Sequence, residues 1–199
     1  MTRMFTSFGN DPALDFLNTT PMGDGAPVER IVSFTALVDF LVEKELIAQD
    51  DGAHARRTWP HADASLARAR SIRERFRAIV LEITSGNVPS ARGLAKLNSE
   101  LRDATGGEYV EVRATQDGLT RCHRLRREGP DDVLTPLARA ITAFLTEAEL
   151  EYVRKCEDPT CVMYFLDTSK NHRRRWCSMD LCGNRNKVEA YRERGGRTR

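Results

Sequence analysis

Four of the five cysteines in this 199-residue chain are spaced as metal ligands. Four residues separate Cys156 from Cys161, four separate Cys177 from Cys182, and fifteen lie between the pairs. Two short-range pairs joined by such a loop follow the general grammar of structural zinc sites. Each pair forms a tight knuckle, and the loop lets the knuckles close on one tetrahedral ion. Thiolates are soft ligands that deprotonate on binding and so suit zinc. Iron is the main rival metal, and Cys-x4-Cys pairs in a closed hydrophilic surround favour zinc over it. Four of them leave the site with two net negative charges, which Lys155, Arg174, Arg175 and Arg185 are near enough in sequence to offset in part. A site closed by four sulfurs has no open position for water, so a zinc hydrolase is not expected and the chain reads as a non-enzyme. His54, His61, His123 and His172 are scattered, none in a His-x-Glu or His-Glu-x-x-His context. Cys122 stands apart from the cluster beside His123, and packing is its simpler role.

A second constellation is cationic. Residues 170–199 hold ten Lys or Arg against Asp180, Glu189 and Glu193, whereas residues 1–150 carry nineteen against twenty-two acids. Any attraction to a polyanion therefore belongs with the cysteines. Phosphate contacts need Lys or Arg, and base readout needs forked donors such as Arg and Asn. Lys170, Arg173, Arg174 and Arg175 supply a basic edge, while Asn184, Arg185, Lys187 and Arg192 lie at or beyond the start of an expected helix. Such a helix could enter a major groove while the basic edge grips the backbone, with the tail 195–199 adding a phosphate contact. Structural roles compete at several positions. Arg185 can pair with Glu189 or fold back on the knuckle, Asn184 can cap a turn, and Trp176 can cover the metal or stack on a base. Two classes stay open: a DNA-binding regulator, and a zinc-stabilised protein-interaction module without direct DNA contact.

The elements that must position these residues are mostly helical. Hydrophobic residues at 40% and charged residues at 30% suit a globular fold. No apolar run approaches a membrane span, and residues 1–5 lack an apolar signal core, so no membrane partner is expected and the cytoplasm is the default. In that compartment clustered cysteines are ligands before they are disulfides. A short helix is expected over 11–17, and Ile31, Phe34, Leu37, Val38, Leu41 and Leu46 predict a second from about Glu29 to Leu46. Leu66, Ala69, Phe76, Ile79, Val80 and Ile83 predict a third helix ending by Gly86, and Leu94, Leu97 and Leu101 a fourth behind a Ser90 cap. Period-two runs at 109–113 and 119–125 about Asp117-Gly118 predict a β-hairpin, and a last helix spans roughly Asp132 to Leu150. Asp15, Asn18 and Thr19 could line a pocket for a small-molecule effector; alternatively, Asn18 and Thr19 terminate the first helix and satisfy its last carbonyls.

Residues 1–150 thus form a helical domain and 151–199 a second module that, lacking a Gly/Ser linker, should dock on it. Within the module, strands at 162–165 and 174–176 and a helix from 186 give the order knuckle, hairpin, knuckle, helix. The expected fold is mainly α with a small β-hairpin (α+β), followed by a treble-clef-like zinc finger with four cysteine ligands.

At these residues the chain resembles a known family. Arg175-Trp176-Cys177-Ser178-Met179-Asp180-Leu181-Cys182-Gly183-Asn184-Arg185, with Cys156-x4-Cys161 and Phe165-Leu166-Asp167-x-Ser169 upstream, is similar to the signature of the CGNR zinc finger. The segment Gly9-Asn10-Asp11-Pro12-Ala13-Leu14-Asp15-Phe16-Leu17-Asn18-Thr19 looks like the opening of the ABATE domain, which precedes that finger in the family. The resemblance implies a bacterial, stress-induced transcription regulator. Its finger would bind DNA, and its helical domain would sense a signal, form a homodimer, or both.

Overall fold

In the computed structural model, which describes residue 5 and residues 7–115 and 118–196, the first helix starts at a side-chain cap. Asp11 accepts a bond from the Ala13 N–H at 2.7 Å and Pro12 opens the helix, so α1 runs Pro12–Leu17 with Leu14, Phe16 and Leu17 fully buried. A two-residue ladder follows, β1 (Met22–Gly23) against β2 (Ala26–Pro27). Helix α2 is Phe34–Glu43, shorter than the expected span. Ser33 caps it through the Ala36 N–H, Ile31 enters the core from a loop, and Glu45 adopts φ +57°, which ends the helix before Leu46.

Helix α3 (Gln49–Thr58) was not expected, because it carries no apolar stripe. It buries Asp51, Gly52 and Ala55 instead. A Cβ on Gly52 would stand 2.3 Å from a methyl of Val42, so a bare backbone is what lets α3 lie against α2. Helices α4 (Asp63–Thr84) and α5 (Ala91–Asp103) follow their apolar stripes, with Ser90 capping α5 as expected. Helix α4 is the central element, touching α1, α2, α5 and α6.

Strands β3 (Glu108–Thr115) and β4 (Gly118–Leu125) form the expected antiparallel hairpin. Gly118 pairs with Thr115 as the first residue of β4, while Asp117, the other residue of the anticipated turn, lies outside the described residues. Helix α6 is Leu134–Glu147, because residues Pro130–Val133 take a 3-10 turn first. Pro136 sits in its first turn, where its missing N–H has no helical acceptor to leave unpaired. Phe16, Phe34, Phe40, Phe76 and Phe144 fill the interior between these helices.

Strand β6 (Tyr164–Leu166) pairs antiparallel with β5 (Val153–Lys155), which precedes the first cysteine. The expected hairpin between the two cysteine pairs is therefore corrected: β5 and β6 enclose the first pair, and residues 174–176 form no strand. The reason is local, since the Arg174 N–H bonds the Asp167 carboxylate at 2.8 Å in place of a ladder partner. Val153 and Tyr164 join the same apolar core as the helices, while Phe165 and Met163 pack with the cysteines in a second cluster. A π-turn (Met179–Gly183) then leads into α7 (Asn184–Gly196). Among the described residues no helix is long and apolar enough to cross a membrane.

Candidate metal centre

The sulfurs of Cys156, Cys161, Cys177 and Cys182 all lie within 4.8 Å of one another. Cys177 Sγ is 3.7 Å from Cys161 Sγ and 3.6 Å from Cys182 Sγ, far too long for a disulfide. A tetrahedral ion with Zn–S bonds of about 2.3 Å requires sulfur separations of about 3.8 Å, so the cluster has the dimensions of a four-thiolate zinc site. Three of the cysteines are buried and Cys161 is half-buried.

Each knuckle is built by its own short-range bonds. In the first, the Cys161 N–H donates to the Asp158 carbonyl at 2.9 Å and the Cys156 N–H to the Met163 carbonyl at 2.9 Å. In the second, Ser178 accepts from the Leu181 N–H at 3.3 Å and starts the π-turn, placing Cys182 within the opening turn of a continuous helical run. Gly183 is needed there, since a Cβ would meet Met179 Sδ at 2.5 Å and the Trp176 ring at 3.1 Å. Trp176 packs on the cysteine cluster and so covers the site.

The thiols of Cys161, Cys177 and Cys182 act on one another. The hydrogen bond from Cys177 holds the Cys161 thiol down to about 5, and the same bond pushes Cys177 up. Burial pushes Cys182 up to about 12. An ion bound here must displace the protons that Cys177 and Cys182 retain.

The candidate nucleic-acid residues divide by what their side chains touch. Arg174 is a brace: it donates to the carbonyls of Trp176 (2.9 Å), Phe8 (3.2 Å) and Cys177, and its guanidinium lies 4.3 Å over the Phe165 ring. Arg185 donates to Thr160 Oγ1 at 2.7 Å, approaches Asp158 at 3.5 Å and lies 4.0 Å from Cys182 Sγ, so it engages the first knuckle and makes no ion pair with Glu189 among the described residues. Arg175 pairs with Glu157 at 2.6 Å and lies over Trp176. Asn184 is exposed, its amide only 3.4 Å from the Asp180 carbonyl. Lys170, Arg173, Lys187 and Arg192 are exposed, with no ion-pair or side-chain hydrogen-bond partner among the described residues. Of the tail, Arg197 and Arg199 lie outside the described residues.

Three residues missed by sequence reasoning tie the knuckles together. The buried Asp158 carboxylate accepts from the Thr160 N–H (2.9 Å), the Thr160 hydroxyl (2.7 Å) and Asn186 Nδ2 (3.0 Å). Burial raises its pKa, but these bonds and Arg185 outweigh burial and hold the carboxyl below its ordinary value. The Asp-Pro-Thr run of an Asx-turn was the available signal, and Asp167 with Ser169 repeats the device at 3.0 and 2.6 Å.

The opening segment fastens this module to the helical body. Asn18, 4% exposed, accepts from the Tyr164 N–H at 2.9 Å and donates to the Tyr164 carbonyl at 2.7 Å, acting as a strand partner for β6. The Gly9 carbonyl accepts from the Leu166 N–H at 2.8 Å, and Asn10 donates to the Leu166 carbonyl at 3.0 Å. Thr19 donates to the Phe16 carbonyl and accepts from Arg73, both at 2.7 Å. Burial pushes the Asp15 carboxyl up even though Lys44 Nζ lies 2.9 Å away. The polar atoms of these residues thus serve the fold, and the residues also line a cavity of about 390 Å³ between α1 and the cysteine module.

Comparison with known families agrees with this architecture. The CGNR zinc finger matches residues 152–195, and the ABATE domain, described as "Putative stress-induced transcription regulator", matches residues 10–148. No curated protein matches the chain.

Proposed function

The chain belongs to the ABATE family, and from that membership we propose a DNA-binding transcription regulator whose four cysteines hold a structural zinc ion. The observation that carries the proposal is the charge on the finger at Lys170, Arg173, Lys187 and Arg192, which is exposed and has no partner among the described residues. A cation already paired inside a protein releases few counterions when it meets a phosphate, whereas an unpaired one releases them fully. Asn184, exposed where α7 begins, is left as the forked donor for a base edge. Arg174 and Arg185 hold the metal knuckles and act through the shape of the finger. When bound, zinc would be held by Cys156, Cys161, Cys177 and Cys182 and would cross-link the two knuckles, and a full set of four thiolates favours a non-catalytic ion.

The test is fluorescence anisotropy of a mixed-sequence duplex with full-length, zinc-loaded protein at low and moderate salt. Binding should appear first at low salt. Changing Arg173 and Lys187 together to Ala should weaken it and reduce the slope of log affinity on log salt by about two, with zinc content unchanged. No binding at low salt refutes the proposal. A second reading, a protein-docking finger, draws on the exposed apolar residues Met179 (54%), Leu181 (53%) and Val188 (50%). A partner that survives DNase treatment and is lost on chelation would favour that reading.

A further inference from the structure

The cavity between α1 and the cysteine module has a wall composition that the DNA proposal does not use. Its apolar surface comes from both sides of the seam, with Phe5, Phe8 and Met22 on one and Val162 and Leu181 on the other. At about 390 Å³ it falls in the range of small-molecule sites. The polar groups that line it are mostly engaged. Asn18 is occupied by Tyr164, Thr19 by Phe16 and Arg73, and Asp15 by Gly9 and Lys44. Arg30 differs. Its main-chain N–H bonds the Thr19 carbonyl at 2.9 Å, which holds the residue at the cavity edge, and its exposed guanidinium has no partner among the described residues.

We propose that this cavity binds a small apolar monocarboxylate, its hydrocarbon body between Phe8, Met22 and Leu181 and its carboxylate on Arg30. A guanidinium fork at the mouth of an apolar cavity selects a planar anion on a hydrophobic stem. Cys161, Cys177 and Cys182 also line this space, and four thiolates on zinc would carry two negative charges. A dianionic phosphate is repelled there more than a single carboxylate. Because the ligand touches Phe8, Met22 and Arg30 on the helical body and Leu181 in the second knuckle, its binding is coupled to how the finger sits on that body. The inference stands apart from DNA binding, since the ligand is measured without DNA.

Isothermal titration of the full-length, zinc-loaded protein with 4-phenylbutyrate and octanoate tests it, with 4-phenylbutanol, octanol and 4-phenylbutylamine as comparisons. The carboxylates should bind at a single site with a dissociation constant of about 1 mM or tighter. The alcohols and the amine should bind at least about tenfold more weakly. Arg30→Gln should weaken the carboxylates about tenfold and leave the alcohols unchanged. Val162→Trp, which fills the cavity, should abolish all binding in protein whose zinc content and circular dichroism match the parent. Absence of saturable carboxylate binding, equal affinity for alcohol or amine, or indifference to Arg30→Gln in folded protein overturns the proposal.

Discussion

Replacing Asn18 perturbs the seam between α1 and β6 at a single side chain. The carboxamide makes two bonds to the Tyr164 backbone, at 2.7 and 2.9 Å, and is 4% exposed. Each such bond contributes about 1 kcal/mol net, so Asn18→Ala should cost about 2 kcal/mol. The adjoining cavity lets water reach the freed groups, which keeps the cost below full desolvation of a buried amide. Asn18→Asp should be worse at neutral pH, costing about 4 kcal/mol, because an ionised oxygen then faces the Tyr164 carbonyl. A protonated acid restores the lost donor, so the folded-state pKa of this Asp is raised above its unfolded value of about 3.9. The sign follows: stability relative to Asn18→Ala is greatest below the unfolded pKa and is lost as pH rises through the folded one. Urea unfolding with zinc present, followed by Trp59 and Trp176 fluorescence at about pH 5 and pH 7.5, measures that gap. If the two variants are equally stable at both pH values, the carboxamide does not hold the strand in the way described.

Further outcomes follow from other contacts. Gly52→Ala, which in an exposed helix would stabilise by about 1 kcal/mol, should lower the melting temperature here, because the new methyl meets Val42. Arg174→Ala should destabilise by about 3 kcal/mol through its lost carbonyl bonds and its cover on Phe165, whereas Arg173→Ala should stay within about 0.5 kcal/mol in urea unfolding. Zinc affinity, read by competition with a chromophoric chelator, should fall as pH falls, because Cys177 and Cys182 hold their protons tightly. Chelation should also loosen β5 and β6, and unchanged hydrogen exchange at 153–166 after chelation would contradict that coupling.

Much of the helical body was legible because its signals are local. Helices α4 and α5 repeat apolar residues at helical spacing, Ser90 caps within three residues, and the β3–β4 hairpin alternates on a two-residue period. Helix α3 was illegible for the opposite reason: it buries Asp51, Gly52 and Ala55, a face with no hydrophobic period. Strand β5 was missed because three residues carry too little pattern, and its partner β6 lies beyond the first cysteine pair. The role of Asp158 was written in an Asx-turn, but its bond to Asn186, twenty-eight residues on, was not.

The four-cysteine centre was determined by the sequence itself, since ligand type and spacing within each pair decide whether a knuckle can close on an ion. So was the basic character of the module that carries it. Which arginines are available was decided only in three dimensions. Arg173 and Arg174 are neighbours of one residue type, yet Arg173 projects into solvent and Arg174 ties Phe8, Trp176 and Cys177 together. Asn18 likewise finds Tyr164 across 146 residues of chain. A buried polar group must be satisfied by whatever the fold brings within about 3 Å of it. That partner depends on how distant segments meet, which local spacing does not encode.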